Sequence, residues 1–173
     1  SDAVRAGVDE LTVLGYTRND ITNTPRLLIS QPTVANDVMR DHGYLLGEHN
    51  KFQKQHLFEQ STRVPFILSV PWLAATHGKA TSHITELIDL YPTLAQLAGL
   101  TPPGNLHGQS LLPLLKDPKS AKWKKEMAFT ISRSGGESIR THQWRFTHWG
   151  YGLKGTELYD LEKDPGEFTN LAK

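Results

Sequence analysis

Asp41-His42-Gly43-Tyr44-Leu45-Leu46-Gly47-Glu48-His49, continued by Lys54 and by Phe58-Glu59, sets two metal-ligating side-chain types and a cation around a glycine turn. Adjacent residues of a strand point to opposite faces, so Asp41 and His42 converge on one ion only if the chain turns there. Gly43 permits that turn by accepting positive φ. The Asp41 carboxylate suits a hard cation such as calcium or magnesium, whereas an imidazole such as His42 suits zinc better. Lys54, a loop away, places a point charge where it can answer the oxygens of an anionic ester or its leaving group. Spacing alone describes equally a glycine turn with a solvated aspartate, a surface histidine and a surface lysine.

Before this stretch, Val4, Val8 and Leu11 recur at helical spacing and Gly15 comes next as a stop, which predicts a short first helix. Pro32 to Arg40 is too polar for a buried central strand, so the strand feeding the turn is expected at Leu27-Leu28-Ile29, about ten residues too early. After it, Phe66 to Val70 is a continuous apolar run framed by Pro65 and Pro71, as in a strand covered on both faces. Asp89 is placed to cap a helix over Leu90 to Ala98. In that helix Pro92 occupies the first turn, Gly99 is the stop, and Leu90, Leu94 and Leu97 form the buried stripe.

Thr101-Pro102-Pro103-Gly104-Asn105 and Lys116-Asp117-Pro118-Lys119-Ser120 break the pattern, and the residues beyond them read as an antiparallel meander. Its strands are Met127 to Ser132, Ser138 to Thr141, Trp144 to Trp149 and Glu157 to Leu161, with turns at Gly135-Gly136 and Thr141-His142-Gln143. Trp144, Trp149, Tyr151 and Tyr159 are the expected core of that sheet, and Glu167 to Ala172 a short terminal helix. The domain reading is an α/β portion over 1–115 and a small antiparallel subdomain over 116–173.

The motif with Lys54, Phe58-Glu59 and Arg63-Val64-Pro65-Phe66-Ile67 resembles the second signature region of the sulfatases, nearest to the iduronate-2-sulfatase-like branch. Three more stretches resemble family segments in the same order. They are Asp89-Leu90-Tyr91-Pro92-Thr93-Leu94, His107-Gly108-Gln109-Ser110-Leu111 with Pro113-Leu114-Leu115, and Glu157-Leu158-Tyr159-Asp160-Leu161 with Asp164-Pro165, Glu167 and Asn170-Leu171. Four ordered matches over positions 41 to 173 imply the C-terminal part of an alkaline-phosphatase-like sulfatase sandwich, an α/β fold with a small antiparallel sheet plus the terminal helix.

By that resemblance Asp41 and His42 are calcium ligands and Lys54 is the catalytic cation that contacts the sulfate. His49 is a candidate substrate contact, with bracing of the loop as its alternative and that of Glu48. The implied partner is a sulfated small molecule or glycan. Sulfatases also use a formylglycine made from Cys or Ser in a C/S-x-P-x-R motif. This sequence has no cysteine. Ser30-Gln31-Pro32-Thr33-Val34 has Val34 where the arginine belongs, and the family's paired N-terminal aspartates are absent. Arg40 also stands beside the presumed ligands, where a fixed cation repels calcium. The chain alone is therefore expected to bind calcium weakly or not at all and to turn over no sulfate ester without a missing N-terminal sulfatase portion. Two alternatives stand beside sulfate ester hydrolysis: a non-catalytic remnant that binds sulfated glycans, and a phosphate or phosphonate ester hydrolase of the same superfamily.

With 38% hydrophobic content in 173 residues, the chain is long enough for a sizeable core. A formal charge of +1, from 19 basic and 18 acidic residues, gives no general attraction to nucleic acid or membranes, so any anion preference is local. No apolar run approaches a membrane span. The compartment is left open, the family being often periplasmic, secreted or lysosomal.

Overall fold

A computed structural model describes the backbone at Thr12–Leu14 and Asn36–Met39, and residues 42–172 in full. The expected first helix, the Leu27-Leu28-Ile29 strand, the Ser30 to Val34 stretch and Asp41 lie outside the described residues. Contacts divide the chain into two compact units, Pro65–Lys125 with the part before Asp41, and Asp41–Val64 with Glu126–Lys173. The sequence pattern places a boundary at 115/116. The contacts group the chain by a different rule, joining 41–64 to the C-terminal sheet across the intervening residues.

The first unit holds strands β1 (Thr12–Leu14), β2 (Asn36–Met39), β3 (Phe66–Ser69) and β4 (Ala80–Thr81), in the order β2-β3-β1-β4. β3 runs antiparallel to both neighbours, and β1 pairs in parallel with β4. All four residues of β3 are buried, as its continuous apolar run predicts. A strand does precede the Asp41-His42 motif: β2 pairs Asn36 with Ser69 and Met39 with Phe66, and it ends two residues before Asp41. Its polar sequence suits its place at the end of the described sheet, where only one neighbour is needed.

Phe66, Leu68 and Val70 form one core cluster with Leu111, Leu114, Leu115 and Trp123, and Leu73, Leu90 and Leu97 pack against it. Helix α2 (Leu90–Leu97) buries Pro92 and Thr93 most deeply, so the expected stripe of Leu90, Leu94 and Leu97 is only half-buried. Gly99 does close α2, at φ +72, with its N–H donating to the Gln96 carbonyl at 3.1 Å.

Asp89 does stand at the N-cap position of α2, but its side chain makes no capping hydrogen bond to that helix. A 3-10 turn over Leu87–Asp89 precedes that helix, and Asp89 is the third residue of a capping box in which its carboxylate accepts the Glu86 N–H at 2.9 Å. The same fully buried carboxylate accepts the Gln109 N–H at 2.8 Å and the Lys125 ammonium at 2.7 and 2.8 Å. Lys125 also donates to Glu86 at 2.7 Å. The Gln109 contact needs the chain to come very close, since a Cβ on Gly108 would lie 2.0 Å from the Ile88 carbonyl oxygen. Thr93 completes the junction by accepting the Leu111 N–H at 2.8 Å, at the entry to helix α3 (Leu112–Lys116).

The second unit contains the meander β5 (Ala128–Ile131), β6 (Gly136–Arg140), β7 (Trp144–Trp149) and β8 (Thr156–Asp160), antiparallel throughout and in sequence order. Its strands lie close to the expected runs. Its core does not match expectation: Tyr159 is buried, but Trp144 and Tyr151 are 38% and 87% exposed. The inward face is polar instead, with Ser138, Arg145 and Thr147 at 2% exposure or less, while Phe129, Ile139 and Phe146 stand exposed on the other face.

The expected terminal helix over Glu167 to Ala172 is not formed. Glu167 adopts φ +60, and Asn170 and Leu171 bond to β8 instead. The Asn170 side chain accepts the Leu158 N–H at 2.9 Å and donates to the Thr156 carbonyl at 3.1 Å, and Leu171 N–H donates to the Leu158 carbonyl at 2.8 Å. Backbone groups used in this way are lost to a helix ladder.

Two measurements check the roles of these buried groups. Lys125→Met leaves Asp89 without its counter-ion and is expected to cost about 3–5 kcal/mol, measured by urea unfolding. Burial first, then the carboxylates of Glu157, Glu167 and Asp164, push the Tyr159 hydroxyl up to about 12. A raised value contributes stability that is complete below the free tyrosine value of about 10 and is lost as pH rises through the folded one. An ultraviolet titration is expected to show Tyr159 ionising late among the five tyrosines, and Tyr159→Phe to remove that late step.

Candidate functional site

Residues 43–53 form a narrow loop whose two legs are joined by backbone hydrogen bonds. Leu45 N–H donates to the Gln53 carbonyl at 3.0 Å, and Gly47 N–H to the Lys51 carbonyl at 3.0 Å. Glycine is required at the tip by its φ of +132, and a 3-10 turn over Glu48–Asn50 closes it, with His49 and Asn50 at φ 52 and 56. His42 immediately precedes one leg and Lys54 immediately succeeds the other, so the pairing of Leu45 with Gln53 returns the chain to the same end of the loop.

His42 is half-buried, with Nδ1 2.9 Å from the Gly43 carbonyl oxygen. Gly43 is buried and its N–H donates to the Ser61 carbonyl at 2.8 Å. The turn reading gives Gly43 a positive φ, but it is not among the glycines with that conformation. Its small size matters instead: a Cβ there would lie 1.9 Å from the Gln60 carbonyl oxygen. That oxygen belongs to the short helix α1 (Glu59–Thr62), which thus sets the position of the backbone next to His42.

Lys54 is exposed, with no hydrogen bond or ion pair among the described residues. Glu48 braces the loop, its carboxylate accepting the Leu46 N–H at 2.6 Å. Backbone hydrogen bonds at Glu48 and Leu46 hold its carboxyl below the usual carboxylate range. The His49 ring stacks on Phe58, with centroids 3.7 Å apart and planes 4° from parallel, and lies 5.2 Å from the ring of Phe168. Its Nε2 is buried with no hydrogen-bond partner among the described residues.

The donor set for a metal is thin. Among the described residues no three His, Asp or Glu side chains gather as an ion would need. Calcium takes six to eight oxygen ligands, so His42 and its described neighbours do not by themselves fit that ion.

One group in this unit carries no signal in the sequence. Arg145, 2% exposed, donates from Nη2 to Glu59 and to Thr62 Oγ1, from Nε to Glu167, and from Nη1 to Ser138 Oγ. Arg140 donates to the other Glu59 oxygen at 3.0 Å, and the Glu59 N–H donates to Glu167 at 2.6 Å. Burial raises the Glu59 carboxyl, but Arg145 and Arg140 outweigh it and hold the group below its usual range. Glu59 and Glu167 both stand inside recognised motifs, whereas a lone arginine in a strand reads as a solvated residue.

Gly43→Ala is expected to lower stability by about 1–3 kcal/mol, because Gln60 must move to admit the methyl group. Gly104→Ala, with open space around its Cβ position, serves as the near-neutral comparison in the same denaturant titration.

The family described as "N-sulphoglucosamine sulphohydrolase, C-terminal" matches residues 47–173. The chain is 34% identical over 143 residues to arylsulfatase K of Homo sapiens, covering 76% of this chain and 26% of that protein. It is 34% identical over 161 residues to the Δ4,5-hexuronate-2-O-sulfatase of Bacteroides thetaiotaomicron, covering 86% and 33%. Similar solved structures include a protein in complex with its substrate D-glucosamine-2-N,6-O-disulfate (TM-score 0.72, 28% identity, 79% of this chain and 29% of that one). A 2-O glycosaminoglycan sulfatase is another (0.68, 33%, 80% and 32%). The phosphonate monoester hydrolase of Agrobacterium radiobacter is also similar (0.67, 28%, 78% and 30%). The chain thus spans a third or less of the length of these proteins. The family match over residues 47–173 and the two sulfatase relatives show that this chain belongs to the sulfatases, within the N-sulphoglucosamine sulphohydrolase C-terminal family.

Proposed function

We propose that this chain supplies the C-terminal share of a site for hydrolysing the sulfate ester of a carbohydrate. The observation that carries the reading is the paired loop, which returns the chain so that an unpartnered cation among the described residues, Lys54, succeeds the leg opposite His42. An ammonium without a protein counter-ion is available to an anion, and in a water-poor site it stabilises charge that develops on departing oxygens. Lys54 is the catalytic cation in this reading, and His49, stacked on Phe58, orients the loop more than it touches the sugar. Asp41 and His42 belong to the reading as the chain's contribution to a calcium site whose remaining ligands come from elsewhere. The nucleophile also comes from outside the 173 residues, since no cysteine is present and Val34 breaks the serine form of the motif.

The substrate class is drawn from the relatives: one acts on a hexuronate 2-O-sulfate, and a solved neighbour holds a disulfated glucosamine. The likeness to a phosphonate monoester hydrolase keeps phosphonate esters as a second reading. Both predict an anion-facing Lys54, and they part on the group transferred from the departing alcohol, sulfuryl in one and phosphonyl in the other.

The test uses a protein in which this chain is joined to a sulfatase N-terminal part carrying the nucleophile motif. Sulfated glucosamine is expected to turn over faster than a phosphonate monoester, and the reverse order would select the second reading. Lys54→Ala is expected to lower kcat/KM by about 100- to 1000-fold, while Lys79→Ala leaves it unchanged. Equal activity in the Lys54 variant would sink the assignment.

A further inference from the structure

Helix α1 has only four residues, yet it is fastened to the C-terminal sheet and the tail that succeeds it at three points. Its first N–H donates to Glu167, its Glu59 carboxylate is gripped by Arg145 and Arg140, and its Thr62 hydroxyl accepts from Arg145 at 3.0 Å. Arg145 takes part in two of these and orients the third, because its Nε holds the other oxygen of Glu167. With both carboxylates and Thr62 tied to one guanidinium, α1 has little freedom to turn or slide.

The site segment is built on that helix. Gly43, next to His42, donates to the Ser61 carbonyl at 2.8 Å and presses against Gln60 so closely that no Cβ fits. Phe58, immediately before α1, holds the ring of His49 by stacking at 3.7 Å. A shift of α1 therefore moves both histidines, although Arg145 has no contact with either among its described bonds.

We infer that Arg145 is a positioning residue of the candidate site: through Glu59, Glu167 and Thr62 it sets where α1 lies, and α1 sets where the His42 backbone and the His49 ring lie. Its relevance to catalysis rests on the proposed reading of this loop, but the coupling itself does not. A lysine cannot replace it, since one ammonium lacks the planar fork that spans two carboxylates and two hydroxyls.

The experiment tracks the histidine ring signals by carbon–proton correlation and the Gly43 amide by native-state hydrogen exchange, in the full 173-residue chain. His42 and His49 signals are assigned with His42→Gln and His49→Gln. In Arg145→Gln both ring signals are expected to move by more than a linewidth, and Gly43 protection to fall at least severalfold relative to β7 amides. Arg145→Lys is expected to move them in the same direction by less. Thr147→Val is the control, buried on the same sheet face and bonded to Ser138 rather than to α1. It lowers stability without shifting either ring.

Unchanged ring signals and Gly43 protection in a folded Arg145→Gln chain would overturn the inference, as would equal shifts in Thr147→Val. If Arg145→Gln does not fold, Glu59→Gln takes its place with the same expectation. If neither folds, the unmodified chain decides: the Arg145 Nε–H and the Gly43 N–H are expected to exchange through one opening with the same denaturant dependence, and separate openings would overturn it. No sulfated ligand is used, so failure of ligand binding leaves this result standing and failure here leaves the substrate reading untouched.

Discussion

A guanidinium shut away from water must have its charge answered and most of its five donors bonded, or the fold that buries it fails. Arg145 meets that condition with Glu59 and Glu167, residues separated from it by 86 and 22 positions, together with Thr62 and Ser138. This constraint explains why residues 41–64 group with the C-terminal sheet in spite of their place in the chain. It explains also why Glu167 takes a left-handed backbone conformation and why no helix begins there.

The other unit rests on the same physics with a different cast. Asp89 is wholly buried and is tolerated because Lys125, the Glu86 amide and the Gln109 amide converge on it. Its role draws together three stretches that the sequence marks separately: the aspartate-aromatic-proline-threonine segment, the glycine-serine-leucine segment at 107–111, and the basic run ending at Lys125. Gly108 is part of this arrangement for want of a side chain, since only glycine lets that backbone reach the Ile88 carbonyl. In both units a short motif is explained less by the chemistry of a substrate than by the need to satisfy one buried charge. The loop with His42, His49 and Lys54 is then what the second unit carries on its surface.

Strand positions are legible in the sequence because alternation and turn chemistry are local. Trp144–Trp149 agrees with its expected run to the residue, and the neighbouring strands differ from their expected ends by one or two positions. Which face of that sheet is buried is not legible. Period-two patterning says that Phe129, Ile139 and Phe146 share one side and Ser138, Arg145 and Thr147 the other, and hydrophobicity alone would turn the first set inward. The structure buries the second set, because the partners that make it possible come from far along the chain. Gly43 is a similar case: turn propensity suggests a conformation, while the actual demand is room for the Gln60 carbonyl.

The sequence by itself determined the family, through four ordered motifs, along with the mixed α/β class, the C-terminal meander, and the candidate residues Asp41, His42, His49 and Lys54. These are properties of short runs, in which each residue's neighbours are written beside it. Only the tertiary structure decided which polar groups are buried, which glycines are indispensable, and that Arg145 governs the helix beneath the His42 turn. Those outcomes depend on pairs of groups that meet after folding, and the cost of an unanswered buried charge cannot be read from either partner alone.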